Sequence, residues 1–243
     1  MLNIDEKNRY FRQLILPNFG EENQLKLKAA KVLVIGAGGL GSSVLFHLAS
    51  SGIGTIGIVD NDCVEISNLQ RQILHFTSDI SIKKTESAAR KLKDLNPSVD
   101  IKIYDTFFDE SNAAEILKDY DFVLDCTDNF ASKVLMNSVC VQHKKPFCHA
   151  GVLEYQGQLM TVIPSVTACY KCVFTEQPPV NISKAIIGAV PGIVGTLQAA
   201  EAIKFVLGLG DLLTDSLLVY DFLKADFRKI KVKKNEKCDV CGK

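Results

Sequence analysis

Four branched apolar residues in a row, Val32, Leu33, Val34 and Ile35, are the sharpest hydrophobic feature of the chain. Glycines follow at Gly36, Gly38, Gly39 and Gly41, and apolar positions then recur with helical spacing over 40–51. A second apolar run, 55–59, ends on Asp60. Strand, glycine turn, helix and strand in this order predict the first βαβ unit of a nucleotide-binding sheet. The alternation continues. Residues 82–95 predict a helix stopped at Asn96 and Pro97, 99–104 a strand, 110–118 a helix and 121–126 a buried strand. Thr127, Asp128 and Asn129 stand before a helix over 131–142, and 146–151 is a further strand. The stretch 61–80 is rich in Asn, Ser and Asp, which predicts a loop with a short helical turn.

Both flanks break this rhythm. Residues 3–30 predict two polar helices parted by Pro17 and Gly20, with Arg9, Arg12 and Gln13 on or near one face. Spacing alone makes this a solvated amphipathic arm. From 156 the pattern turns antiparallel, with strands over 156–163, 216–220 and 227–232 and a long helix over 195–207. In the last strand Ile230 and Val232 share one face while Lys229, Lys231 and Lys233 share the other, so it should be half-buried with a basic outer face. The expected fold is α/β: a Rossmann-like, doubly wound, mainly parallel sheet with antiparallel C-terminal strands. It should form one domain over 1–243, comprising an arm (1–30), a nucleotide-binding part (31–151) and a C-terminal part (152–243).

Composition adds exclusions. With 243 residues, 47% hydrophobic and 23% charged, the chain has an ordinary globular make-up. Lys+Arg and Asp+Glu number 28 each, which gives no case for nucleic acid or an anionic membrane as partner. The N-terminus has no apolar leader, and the apolar stretch 185–209 is interrupted by Gln198, Glu201 and Lys204. A buried helix is expected there, not a membrane span, and the protein should be cytoplasmic. Eight cysteines without a secretory signal point to reduced thiols or metal ligation.

The candidate chemistry has two centres. The glycine turn lets the backbone approach phosphate oxygens, with helix N-terminal amides pointing at them. Asp60 can accept from a ribose hydroxyl, as also happens with a nicotinamide dinucleotide. Asp60 and Asp128 both follow C-terminal strand ends, where such sheets bind ligands, and Arg71 and Lys84 lie close behind Asp60. Carboxylates and cations beside a phosphate turn suggest ATP with a divalent metal, although Asp128 alone fits a plain helix N-cap equally well. The second centre is two Cys-x-x-Cys pairs, Cys169 with Cys172 and Cys238 with Cys241. Four thiolates complete a tetrahedral structural zinc site that would staple the tail to the body. Two redox dithiols are the alternative, but neither pair has an evident helix N-terminus to lower a thiol pKa. Cys63, Cys126, Cys140 and Cys148 should be buried small apolar residues.

Together these pieces resemble the bacterial MoeB/ThiF/HesA group, relatives of ubiquitin-activating enzymes. The matching segments are RYFRQLIL (9–16), GAGGLGS (36–42), DND (60–62), SNLQRQ (67–72), KKTESA (83–88), DCTDN (125–129), CYKC (169–172), GTLQAAEAIK (195–204) and CDVC (238–241). They run in the family's order over nearly the whole chain. The resemblance implies an enzyme that uses ATP and Mg²⁺ to adenylate the C-terminal glycine of a small ubiquitin-like sulfur-carrier protein for molybdopterin or thiamine biosynthesis. It implies that Gly36, Gly38, Gly39 and Gly41 receive the nucleotide, that Asp60 and Asp62 lie at the ribose, and that Ser67, Asn68, Leu69, Gln70, Arg71 and Lys84 line the phosphates. Asp128, beside Asn129, would hold Mg²⁺. Arg12 would reach into the ATP site of the other subunit, which implies a homodimer and revises the bland reading of the arm.

One departure matters. Many relatives carry a cysteine after the first Cys-x-x-Cys that bonds covalently to the carrier, whereas 173–187 holds none and Asn181, near Ser183, stands about there. Adenylation alone is therefore expected, with a separate sulfur donor and no appended rhodanese domain. Three other readings compete with this one. An NAD-dependent oxidoreductase lacks an evident acid/base pair for hydride chemistry. A non-catalytic scaffold should have lost the phosphate-binding cations. An enzyme adenylating a short peptide would need an extra recognition domain.

Overall fold

The computed structural model describes residues 1–175 and 185–242. The arm folds as α1 (Ile4–Arg9), α2 (Phe11–Leu14) and α3 (Gly20–Ala29). The first half of the body follows as β1 (Lys31–Ile35), α4 (Gly39–Ser51), β2 (Thr55–Val59), α5 (Lys84–Leu95), β3 (Asp100–Tyr104), α6 (Ala113–Leu117), β4 (Phe122–Asp125) and α7 (Phe130–Gln142). The second half is β5 (Phe147–Leu153), β6 (Gln156–Val162), α8 (Tyr170–Val173), α9 (Ala189–Leu207), β7 (Ser216–Asp221) and β8 (Asp226–Lys231). Eight strands make one sheet in the order β3-β2-β1-β4-β5-β6-β7-β8. The pairs from β3 to β5 are parallel and those from β5 to β8 antiparallel, which matches the expected class.

Fully buried strands explain the continuous apolar runs. Val32, Leu33 and Val34 on β1, like Phe122, Val123 and Leu124 on β4, are wholly buried because both sheet faces are covered. Alternate side chains enter two cores. One lies under α4, α5 and α9 around Leu45, Leu48 and Phe122. The other lies under α6 and α7 around Met136, Phe147 and Met160 and extends to Cys169, Cys238 and Cys241.

Three expectations shift. The long helix begins at Ala189, ahead of 195. Pro191 falls in its first turn, where a missing N–H is no loss. Gly195, the first residue of the expected helix, is a packing position: a Cβ there would lie 2.4 Å from the Leu40 carbonyl oxygen, so only glycine lets α9 close on α4. By length and composition α9 would be able to cross a membrane, but it packs against α4, β4, β5 and β6. The helix expected over 110–118 shrinks to α6 because Asp109 accepts from the Ser111 N–H at 2.8 Å and Asn112 accepts from the Asp109 N–H at 3.1 Å. Such side-chain bonds compete with the helical ladder. Finally, β8 is exposed on both faces, with Phe227 at 49% and Ile230 at 50%. Its alternation serves pairing with β7 at the sheet edge, not the half-burial expected of it.

The arm is docked, not solvated throughout. Arg9 Nη1 donates to the Leu95 carbonyl at 2.7 Å, and Gln13 Nε2 donates to Gln24 Oε1 at 2.7 Å and to the Ser51 carbonyl at 3.2 Å. Gly195→Ala should lower stability by about 1–3 kcal/mol, because the blocking atom is backbone and cannot rotate away. Urea midpoints of the two proteins check this, and an unchanged midpoint would show that the helices part freely.

Candidate active site

A cavity of about 790 Å³ opens past the C-terminal ends of β1, β2, β4 and β5. The turn after β1 forms its floor. Gly36 has φ +101°, and a Cβ on it would stand 2.6 Å from the Cys126 carbonyl oxygen, so the left-handed, close-packed position requires glycine. Gly36, Gly38 and Gly39 line the cavity. Gly41 does not: its missing Cβ would lie 2.0 Å from the Gly36 carbonyl oxygen, so it seats the helix on the turn. Buried His75 props the turn from below, with Nε2 2.9 Å from the Ala37 carbonyl and Nδ1 2.8 Å from Ser87 Oγ. Burial pulls the His75 pKa down, so the prop is a neutral imidazole. Asp60 closes the turn from above. Its Oδ2 accepts from the Ala37 N–H at 2.8 Å and its Oδ1 from the Asp62 N–H at 2.9 Å.

The 61–80 segment holds two short turns of 3₁₀ helix, Ile66–Asn68 and Thr77–Asp79. Asn68 is buried inside its own turn, accepting from the Glu65 N–H at 3.1 Å. Ser67, Asn68, Leu69 and Gln70 do not line the cavity, whereas Arg71 does. Arg71 Nη1 donates to the Ser67 carbonyl at 3.0 Å. Lys84, at the start of α5, is only 6% exposed, and its Nζ meets Asp62 Oδ2 at 2.7 Å in the cavity wall. Arg12 lies elsewhere, exposed on α2, with no hydrogen bond or ion pair among the described residues.

Beyond β4 the competition over capping is resolved. Asn129 is the N-cap of α7, its Oδ1 accepting from the Ser132 N–H at 2.9 Å. Asp128 is left exposed on the cavity wall, with no hydrogen bond or ion pair among the described residues. One turn deeper, wholly buried Asp125 is held by four groups. Thr127 Oγ1 donates to Oδ1 at 2.6 Å and the Thr127 N–H at 3.1 Å, while His149 Nδ1 lies 2.8 Å and Lys133 Nζ 3.2 Å from Oδ2. Burial works to raise the Asp125 pKa, but Lys133 and His149 overcome it and hold the carboxyl well below the usual range. Burial lowers the His149 pKa, so its ring is neutral and Nδ1 carries the proton given to Asp125.

The cysteines separate into two classes. The Sγ atoms of Cys169, Cys172, Cys238 and Cys241 all lie within 4.8 Å of one another. Three of the edges are 3.9, 3.7 and 3.4 Å. Tetrahedral zinc with bonds of about 2.3 Å has edges of about 3.8 Å, so the cluster fits that ion. The Asn235 N–H approaches Cys172 Sγ at 3.4 Å, a bond suited to a thiolate. Cys126, Cys140 and Cys148 are buried, and burial pushes their thiols up and keeps them protonated. Cys63 corrects the expectation by being exposed.

Sequence reasoning passed over Lys133 and His149, both on the cavity wall. His149 is the third residue of β5, level with Asp125 at the end of β4, and no local signal marks it. Lys133 carried none, because its reach back to β4 depends on the packing of α7. Asn181 and Ser183 lie outside the described residues.

Comparison with known proteins agrees with this geometry. The chain is 42% identical to the sulfur carrier protein adenylyltransferase of Thermus thermophilus, over 98% of this chain and 92% of that one. It is also 42% identical to adenylyltransferase and sulfurtransferase MOCS3 of Drosophila virilis, over 99% of this chain but 55% of that relative, so it spans about half the length of the MOCS3 proteins. Among solved structures, E. coli MccB with ATP superimposes with a TM-score of 0.88 at 27% identity, over 99% of this chain and 75% of that one. The ThiF family model matches residues 10–240, and the chain belongs to the ThiF family.

Proposed function

We propose that the chain is an adenylyltransferase that activates the C-terminal glycine of a ubiquitin-like sulfur-carrier protein ending in Gly-Gly. The observation that carries this is Asp128: released from capping, its carboxylate faces the same cleft as the glycine turn, Arg71 and Lys84. That combination suits a nucleoside triphosphate with a divalent cation better than a dinucleotide. The name of the Thermus thermophilus relative supports the carrier as acceptor, and that of MOCS3 supports adenylyl transfer.

In the proposed reaction a carboxylate oxygen of the tail attacks the α-phosphorus, the bond to the pyrophosphate oxygen breaks, and an acyl-adenylate remains. A carboxylate is a weak nucleophile and the triphosphate is anionic, so the protein contributes position and charge neutralisation. The turn amides of Gly38 and Gly39 face the phosphates and Asp60 the ribose. Lys84 exchanges Asp62 for phosphate oxygens, and Arg71 leaves the Ser67 carbonyl to do the same. Ser67, Asn68, Leu69 and Gln70 frame this wall, and Asn129 keeps Asp128 at the mouth. Asp128 would hold Mg²⁺, which supplies further neutralisation of phosphate charge. Arg12 completes the site of a second copy, and the exposed side chains of Phe11, Ile15 and Leu16 around it support a homodimer. The four-cysteine cluster holds structural zinc, the chain works as one unit over 1–243 in the cytoplasm, and a separate donor supplies sulfur.

ATP–pyrophosphate exchange should require Mg²⁺ and a carrier with intact Gly-Gly. Offering molybdopterin-pathway and thiamine-pathway carriers separately names the pathway, and a free short peptide is the competing acceptor. Lys84→Ala or Arg71→Ala should cost about 100-fold or more in kcat/KM; exchange without any carrier, or only with the peptide, would overturn the reading. Mixing inactive Arg12→Ala with inactive Asp128→Ala should restore exchange through hybrid dimers, whereas no recovery would mean that Arg12 does not act across subunits. Elemental analysis should find one zinc per chain, and chelation should lower the Tm without releasing the nucleotide.

A further inference from the structure

We propose that His149 positions the acyl substrate, its Nε2 accepting a hydrogen bond from a backbone N–H in the last two residues of the tail. The inference rests on the adenylation reading and extends it to a group that reading does not use. His149 is 1% exposed, it borders the cleft, and its Nε2 has no hydrogen-bond partner among the described residues. A buried acceptor without a donor is unfavourable, and such groups are normally satisfied. The bond from Nδ1 to Asp125 at 2.8 Å fixes the tautomer, so Nε2 bears a lone pair and can only accept. Burial in the same place keeps the ring neutral.

Strand order identifies the ligand. Across the sheet stand β2, β1, β4 and β5. Asp60 ends β2, the glycine turn follows β1, Asp128 follows β4, and His149 is on β5. At about 4.8 Å per strand, His149 lies about 14 Å from the ribose side of the cleft and one strand beyond the metal carboxylate. Past the phosphates in that direction comes the attacking carboxylate and the chain behind it. The β5–β6 hairpin is bare there: a Cβ on Gly151 would stand 3.8 Å from His149 Nε2 and 3.4 Å from Gln158 Nε2. The rings of Tyr170 and Phe174, centred 4.5 and 5.6 Å from the imidazole, close its other sides. An extended glycine backbone suits this passage, and its N–H groups are the only donors a glycine tail carries.

The test is an exchange assay with semisynthetic carriers in which each of the two terminal amides is replaced in turn by an ester, which deletes one N–H. For the native enzyme one of these esters should raise the carrier KM about tenfold with the ATP KM unchanged, the scale of one lost hydrogen bond. His149→Phe should raise the KM for the all-amide carrier by a similar factor, and the ester should cost that variant nothing more. A residue that only supports the fold would leave amide and ester carriers equally discriminated in the variant. Equal KM values for amide and ester carriers with the native enzyme would overturn the proposal, even if His149→Phe failed to fold. Absence of exchange with every carrier would instead remove the adenylation reading, and this inference with it.

Discussion

A carboxylate buried at the end of a central strand governs both the fold and the cleft. Asp125 is wholly inaccessible to water. An ionised group in that position is tolerable only if its lone pairs are filled and its charge is matched, and removing one partner from such a cluster costs about 3–5 kcal/mol. The partners come from three elements: Thr127 in the turn after β4, Lys133 on α7 and His149 on β5. Lys133 also donates to the carbonyls of Thr127 at 2.7 Å and Ala150 at 2.6 Å, so one ammonium ties the turn to the neighbouring strand. Thr127 is spent on Asp125 and Asn129 on the helix cap. Asp128, between them, is left over for the cleft. The exposed carboxylate is thus a consequence of how the buried one is satisfied.

The second constraint is the absence of side chains where layers meet. Gly36 lets β1 run against the backbone after β4, Gly41 lets α4 sit on the turn, and Gly195 lets α9 close on the first turn of α4. The start of α4, where Gly39 and Leu40 line the cavity, is therefore gripped from two sides. A methyl group at any of these positions would meet backbone oxygen at 2.6 Å or less. The cleft inherits its shape from these contacts.

These relations also explain what the sequence made legible. The βαβ unit, the parallel-to-antiparallel change and the four cysteines followed from periodicity and spacing, because each reflects a short-range rule. Helix limits were less legible. Pro191 carries a breaker signal that its place in the first turn of α9 makes harmless, and the alternation in β8 records strand pairing instead of burial. Asp128 was ambiguous because three residues in a row were capable of capping α7; Asn129 prevails once Asp125 has engaged Thr127. His149 was missed because nothing local distinguishes a core histidine from one facing a ligand. Its meaning comes from Asp125, which is level with it across β4 and β5.

The cleft is electrostatically prepared for exchange. Lys84 is almost buried, while its partner Asp62 is 60% exposed. A pair with one solvated member is worth only about 0–1 kcal/mol, so the aspartate can turn outward with little loss when a phosphate takes its place. The Asp125 cluster has no such freedom, because its cation, Lys133, and its neutral donor, His149, are both buried with it. Polar groups of the two kinds therefore sit side by side: a loosely held pair on the parallel half, where ligand charge would enter, and a locked network at the seam with the antiparallel half. The network fixes the geometry from which the acceptor side of the cleft is built. Its one position unfilled among the described residues, the Nε2 of His149, lies beside the bare hairpin of β5 and β6, where in the proposed reaction the backbone of the acceptor tail would pass.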